Sequence, residues 1–231
     1  MKTGIMQPYF FPYIGYWQLI NAVDVFVVYD NIKYTKKGWI NRNRYLYEGQ
    51  DKLFTLELEK ASDFLNVCER KISDSFNKKK LLNQIAAAYK KAPFLKEIYG
   101  LFENIIMCEH DNLFEYIYNS ILITMKALGI ETKTTISSHI DIDHSLKSQD
   151  KVLAICEKLG AGSYINPIGG IELYDKNVFN SHNIELKFLR TKKISYEQNG
   201  GIFVPSLSIL DVLMFNGKEK TKEFLDLFNL E

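Results

Sequence analysis

Two stretches of the chain carry side chains suited to binding an anion. One is Gln7–Ile20, QPYFFPYIGYWQLI, and the other is Asn31–Arg44, NIKYTKKGWINRNR. The second holds Lys33, Lys36, Lys37, Arg42 and Arg44 and no acid. Arginine offers a planar fork that fits phosphate or carboxylate, and lysine offers a point charge. Gly38 breaks the run, Trp39 follows it, and Asn41 and Asn43 alternate with the arginines. In an extended run Arg42 and Arg44 share one face, and Asn41 and Asn43 the other. The arginines are expected to supply charge, the asparagines to fix the loop's backbone. A solvated basic loop is the competing reading, although such a loop has no need of Trp39 or of interleaved asparagines. Lys37, Asn41, Arg42, Asn43 and Arg44 are therefore candidate binding residues for an anionic small molecule such as a nucleotide sugar. Gln7, Tyr13 and Tyr16 join them from the first stretch, where the tyrosines can stack or donate hydrogen bonds.

Acid–base chemistry would need a carboxylate or an imidazole. Asp30 ends the apolar run DVFVVYD, and Asp211 lies inside ILDVLMF. Each is a candidate general base or ribose contact, and a turn or cap role is the alternative for Asp30. Gly169 and Gly170 follow Asn166-Pro167-Ile168 and would let backbone N–H groups approach a ligand. His139, Asp141, Asp143 and His144 are metal-ligand types in one short string. Alternation puts His144 opposite the other three, so a polar loop is expected there and no metal is assigned. No cofactor is specified. No serine–histidine or cysteine–histidine pair is signalled, and the cysteines fall on apparent core faces.

These residues need a scaffold. A short apolar run at residues 3–7 reads as a buried strand. Tyr13, Tyr16, Trp17 and Ile20 then follow helical spacing, with Pro12 placed to start the helix. Asp24–Asp30 is a second buried strand, which completes a βαβ unit. The Gln7 loop and Asp30 then share the carboxyl edge of a parallel sheet, where ligands bind in open α/β folds. Arg44–Glu48 and Leu53–Leu58 suggest a hairpin around Gly49. Helices are expected over 77–91, 94–108 and 113–128, then 148–159 with Ser148 as its cap. Further strands fall near 132–136, 162–165 and 184–189, the last including Phe179 on its approach. The loop Ser195–Val204 holds Tyr196, Gln198, Gly200 and Gly201. Helices Ser208–Phe215 and Lys218–Phe228 flank a stop at Asn216-Gly217. The fold class is α/β, a mainly parallel Rossmann-like sheet in one domain over 1–231, with a helical block inserted around 77–128.

Composition excludes several classes. A net charge of +1 argues against a nucleic-acid partner or an anionic membrane. No apolar run is long enough to span a bilayer. Cys68, Cys108 and Cys156 have neither zinc nor disulfide spacing, which suits a reducing compartment, and the expected location is cytoplasmic.

The opening IMQPYFFPYIGYWQLI, the block VDVFVVYDNIKYTKKGWINRNR, AYKKAP, LGAGSYINPIGG and the closing FVPSLSILDVLMFNG together resemble the WbqC-like protein family. The resemblance implies a bacterial cytoplasmic protein associated with surface polysaccharide (O-antigen) gene clusters. A fainter resemblance is to nucleotidyltransferase-like α/β folds, including pantothenate synthetase, whose His-x-Gly-His element stands where this chain has Tyr13-Ile14-Gly15-Tyr16. Tyrosine carries no positive charge at neutral pH, so this likeness implies the fold and not the reaction. The expected function is a transferase or ligase acting on a sugar nucleotide or amino sugar, for example by forming an amide. A non-catalytic nucleotide-sugar binding or scaffold protein is the alternative.

Overall fold

The computed structural model describes residues 1–199 and 201–231. Gly200, assigned from the sequence to the 195–204 loop, lies outside them. Among the described residues eight strands form two sheets. In the main sheet, β1 (Lys2–Met6), β2 (Val25–Val28), β5 (Lys133–Ile136), β6 (Ser163–Pro167) and β7 (Glu185–Thr191) run parallel. A last strand, β8 (Phe228–Leu230), pairs antiparallel with β7 at the edge. The order is β5-β2-β1-β6-β7-β8. The chain leaves β1 toward β2 and β5, then returns past β1 to β6 and β7. That reversal puts a topological switch point between β1 and β6, as in a Rossmann-like fold.

The sheet is covered on both faces, so the side chains of its inner strands alternate between two cores. Along β2, Phe26 and Val28 enter the larger core and Val27 the smaller. Ile5 of β1, Tyr164 of β6, and Leu186 and Phe188 of β7 join Val27. There they meet Val152, Ile155 and Cys156 of α5 (Ser148–Leu159) and Phe179 of α6 (Lys176–Ser181). On the other face lie α1 (Ile14–Asn21) and α7 (Ile209–Phe224), backed by α2 (Lys78–Ala88), α3 (Leu95–Ile106) and α4 (Leu113–Leu128). These last three are the expected helical block. Asn77 caps α2 through Lys80 N, Asn112 caps α4, and Gly129 ends α4 with φ 67°.

A second sheet is the hairpin β3 (Arg42–Tyr47) and β4 (Gln50–Thr55). Its two-residue turn, Glu48-Gly49, has φ of 51° and 76°, the backbone a type I′ turn demands. The hairpin begins earlier than its hydrophobic pattern suggested, because Asn41 and Asn43 bury their amides and extend the pairing.

Several local expectations shift. Pro12 does not start α1. Tyr13 occupies the N-cap, and the Pro12 carbonyl accepts from Trp17 Nε1 and Ile209 N. Ser148 is the first residue of α5 with φ 49°, not its cap, and no side chain caps that helix. Phe179 is helical rather than extended. The C-terminal helix stops at Phe224, because residues 228–230 gain a strand partner in β7.

The stop at Asn216-Gly217 takes the form of a kink inside α7. Gly217 adopts φ 68°, ψ −179°, and a Cβ there would lie 2.7 Å from the Phe94 ring. Phe94 N donates to Met214 O at 3.1 Å, which fixes the ring against the kink. Gly217→Ala should therefore lower stability by at least ~1–3 kcal/mol, the cost of a disallowed backbone region before the clash is counted. Urea unfolding with an unchanged midpoint would contradict this account of the kink.

Candidate functional site

The carboxyl ends of β1, β2 and β6 open onto a crevice of about 970 Å³. It lies at the switch point, and its size falls within the range of small-molecule sites, roughly 300–1,000 Å³. From the sheet come Gln7, Tyr29, Asn31 and Asn166; from beyond β6 come Gly169 and Gly170. The loop before α5 contributes His144 and Lys147, and α5 itself contributes Ser148 and Lys151. With Lys33, three lysines and one histidine line the crevice. Among the described residues no carboxylate does.

Lys151 is the distinctive group. Its residue is only 4% exposed, yet it has no carboxylate partner. Its ammonium donates one long bond to the His144 carbonyl, 3.4 Å, and lies 5.0 Å over the Tyr29 ring. Burial pulls its pKa below the ordinary lysine value, while the charge of Asp30 works in the opposite direction. An ammonium has three donors, so donors remain for an anion in the crevice. The start of α5 adds to this. Its first N–H groups have no side-chain cap, and the helix dipole is positive at that end. Phosphate groups bind at such a terminus.

His144 is held by a relay. Ser137 Oγ donates to Asn31 Oδ1 at 2.7 Å, and Asn31 Nδ2 donates to His144 Nδ1 at 3.0 Å. In that arrangement Nε2 carries the proton. The remaining members of the histidine–aspartate string point to different partners. Asp141 pairs with Lys158 at 2.8 Å, Asp143 accepts from Ser145 N, and His139 lines a separate hollow beside Ser138.

Gly170 has a steric role in the crevice wall. A Cβ on it would lie 2.1 Å from Asn166 Nδ2, so any other residue would displace the Asn166 amide. That amide is fixed by Tyr164 OH, which donates to Asn166 Oδ1 at 3.1 Å.

The loop after β1 is built inward. Phe10 and Phe11 are core residues, 0% and 2% exposed. Phe11 has φ 46°, an uncommon conformation for a bulky side chain. Asn43 stabilises it, because its Nδ2 donates to Phe10 O at 3.1 Å and to Phe11 O at 2.9 Å. Tyr16 is buried, and its hydroxyl donates to Gln7 O at 3.0 Å, which aims the Gln7 backbone rather than offering a hydroxyl to a ligand. Tyr9 OH donates to Gln7 Oε1 at 3.5 Å.

The sequence-derived candidates thus separate into groups. Gln7, Gly169 and Gly170 meet in the crevice. Tyr13, Asn43 and Arg44 line a neighbouring cavity of about 320 Å³ with Trp39, and Tyr9 borders both spaces. Arg42 does not reach over the crevice. Its Nε donates to Gly38 O at 3.0 Å, and its Nη2 to the carbonyl of Lys37. The Lys37 side chain is exposed and lines neither space. Asn41 is buried, taking a bond from Tyr34 OH at 2.9 Å and donating to Leu56 O at 2.8 Å.

The two carboxylates lie apart from the crevice and from each other. Asp30 accepts from Ser138 N at 2.9 Å and Ser138 Oγ at 2.6 Å, clipping the end of β2 to the turn after β5. Asp211, fully buried, accepts from Tyr89 OH, Tyr196 OH and Gln198 Nε2 at 2.9, 2.7 and 2.6 Å.

Lys147 and Lys151 were not singled out by sequence reasoning, and Ser148 was read only as a helix cap. A signal existed: two lysines flank the first turn of a helix, where acids would complement the dipole.

The WbqC-like protein family model matches residues 7–223. An uncharacterized protein, Rv1507c, from Mycobacterium tuberculosis (strain ATCC 25618 / H37Rv) is 26% identical over 221 residues, covering 94% of this chain and 95% of that relative. No solved structure matches the chain at a significant level.

Two outcomes test this geometry. Removing Asn43 leaves two buried carbonyls without their donor, so Asn43→Ala should cost ~2–6 kcal/mol in urea unfolding, from about 1–3 kcal/mol for each orphaned group. A loss below 1 kcal/mol would show that the hairpin does not hold this loop. For Asp211, burial lifts the carboxyl pKa above its ordinary value, and the three hydrogen bonds pull the other way. The folded chain then holds this proton more tightly than the unfolded one. That contribution is complete below the unfolded pKa of about 3.9 and is lost as pH rises through the folded value. Relative to non-titrating Asp211→Asn, the wild type should lose stability from about pH 4 upward, read as urea midpoints at successive pH values. Parallel curves would refute it.

Proposed function

The chain belongs to the WbqC-like protein family, and we propose that its crevice binds the phosphoryl groups of a nucleotide sugar. The family points to surface polysaccharide biosynthesis. Within that setting the proposed activity is that of a transferase or amide-forming ligase acting on the sugar. One observation carries the reading. Three lysines, a histidine and an uncapped helix start face a crevice that no described carboxylate lines, and one of those lysines is buried without a counter-ion. A buried, unpaired ammonium is costly, and an anionic ligand would offset that cost. The chain as a whole is nearly neutral, so the local charge cannot be attributed to a generally basic surface.

His144 is the proposed oxyanion-stabilising group. It is the one imidazole lining the crevice, and Asn31 sets its orientation. Amide formation passes through a tetrahedral oxyanion, and with Nδ1 engaged by Asn31 the Nε2–H is a donor for it. The second reading, a binding protein without catalysis, draws on a separate observation. Asp30 and Asp211, the carboxylates suggested as bases, are engaged by hydrogen bonds away from the crevice.

The decisive variant is Lys151→Met. Charge-assisted hydrogen bonds contribute ~1.5–3 kcal/mol, so affinity for nucleoside diphosphates and their sugar esters should fall about 10- to 100-fold by calorimetry. The unliganded variant should melt no lower than the wild type, because an unpaired buried charge has been replaced by an apolar chain. Equal affinity in both proteins would remove the crevice as a phosphate site. For the catalytic reading, His144→Ala should lower turnover with an acyl donor about 100-fold or more while leaving nucleotide-sugar affinity within twofold. Binding with no turnover in the wild type, across a panel of acyl donors, would favour the non-catalytic reading.

A further inference from the structure

We propose that the 320 Å³ cavity between the β1 loop and the hairpin is a carbohydrate subsite that takes the glycosyl ring of the ligand. The choice of ligand class rests on the phosphoryl-binding reading of the adjacent crevice.

The cavity is walled by Tyr9, Pro12, Tyr13, Trp39, Arg44 and Ser206, with Asn43 behind. Trp39 and Tyr13 are 40% and 37% exposed, whereas Trp17 and the phenylalanines of the same region are buried. Large aromatics left accessible in one hollow offer flat faces for the C–H groups of a sugar ring. An apolar, concave lining with a few polar groups is the usual make-up of a small-molecule site. The polar groups are present. The Arg44 guanidinium lies 5.5 Å from the Trp39 ring centre, with Nη1 on Asp51 at 3.2 Å and Nη2 on Ser206 O at 3.1 Å. Its Nε is buried and meets no acceptor. Arg44, Asn43 and Ser206 place hydrogen-bonding groups in the lining, and sugar hydroxyls both donate and accept. As in the crevice, no carboxylate lines this cavity among the described residues.

Tyr9 connects the two spaces, since it lines both. A nucleotide sugar joins a diphosphate to a ring through one bond, so its two halves require two adjoining sites of different character. The crevice is cationic and the cavity is aromatic. The smaller volume sits at the low end for small-molecule sites, about 300 Å³, which suits one ring rather than a whole nucleotide.

The chain contains two tryptophans, Trp17 buried and Trp39 exposed at this cavity, so a change in emission on adding ligand is read from Trp39 and checked with Trp39→Ala. Titrating the full chain with the methyl glycosides of glucose, galactose, mannose and N-acetylglucosamine should give a saturable emission shift with at least one of them. Saturation-transfer NMR with the same glycoside should show at least tenfold weaker binding for Trp39→Ala, a variant whose melting temperature should hold because the side chain is exposed. Lys151→Met should retain glycoside binding within twofold. No saturable response with any of the four, or glycoside binding that survives Trp39→Ala, would overturn the subsite. Failure of the crevice reading is a separate result: phosphorylated ligands would then bind Lys151→Met as well as wild type, while the glycoside response stayed as it was.

Discussion

The amide of Asn43 is the tie on which the site's shape depends. It reaches from the first residues of β3 to the Phe10 and Phe11 carbonyls. Those two residues hold the β1 loop to the helical block, with ring centres 5.7 Å apart for Phe10–Tyr116 and 5.6 Å for Phe11–Phe102. The same loop presents Gln7 to the crevice and Tyr13 to the smaller cavity. One side chain thus couples the hairpin, the loop and the helices, and the walls of both spaces follow from it. Phe11 accepts an unfavourable φ because packing and hydrogen bonding around it leave no alternative.

Charge in this protein is arranged locally. With a net charge of +1, long-range attraction of an anion is weak. The crevice works at short range instead, where water is displaced and each ammonium counts for more. Lys33 and Lys147 are exposed and keep their hydration. Lys151 is not, and it sits beside the positive end of α5. The cost of keeping that charge buried is carried by the fold, which packs two cores around the sheet and can absorb it.

The buried carboxylates work as fasteners. Asp30 joins β2 to the turn after β5, and so holds in place Asn31 and, through it, His144. Asp211 gathers tyrosines from α2 and from the loop before α7, and Tyr89 OH in turn accepts from Leu46 N of the hairpin at 3.0 Å. Satisfied networks of this kind rigidify a core. They secure the elements that shape the crevice and the cavity without touching either space.

Much of the fold was legible in the residues. The runs at 3–7, 24–29 and 162–165 read as strands, which form at Lys2–Met6, Val25–Val28 and Ser163–Pro167, and the helical block stands where its apolar spacing put it. The alternation Asn41, Arg42, Asn43, Arg44 correctly separated an inward from an outward face, since period two is a local property of an extended chain. Which space the outward face meets was not local. Arg42 turned onto carbonyls four and five residues back, and Arg44 onto Ser206, 162 residues away. The cationic crevice itself was hidden for the same reason. Lys33 follows β2, whereas His144 and Lys151 belong to the segment that starts α5, and only the tertiary fold brings the two segments together. The C-terminal strand was equally invisible, because Phe228–Leu230 is extended only through its pairing with β7. The sequence alone determined the elements and the chemical types available to them. Tertiary structure decided which charges were left without a partner, because burial and pairing depend on neighbours that the chain order does not name.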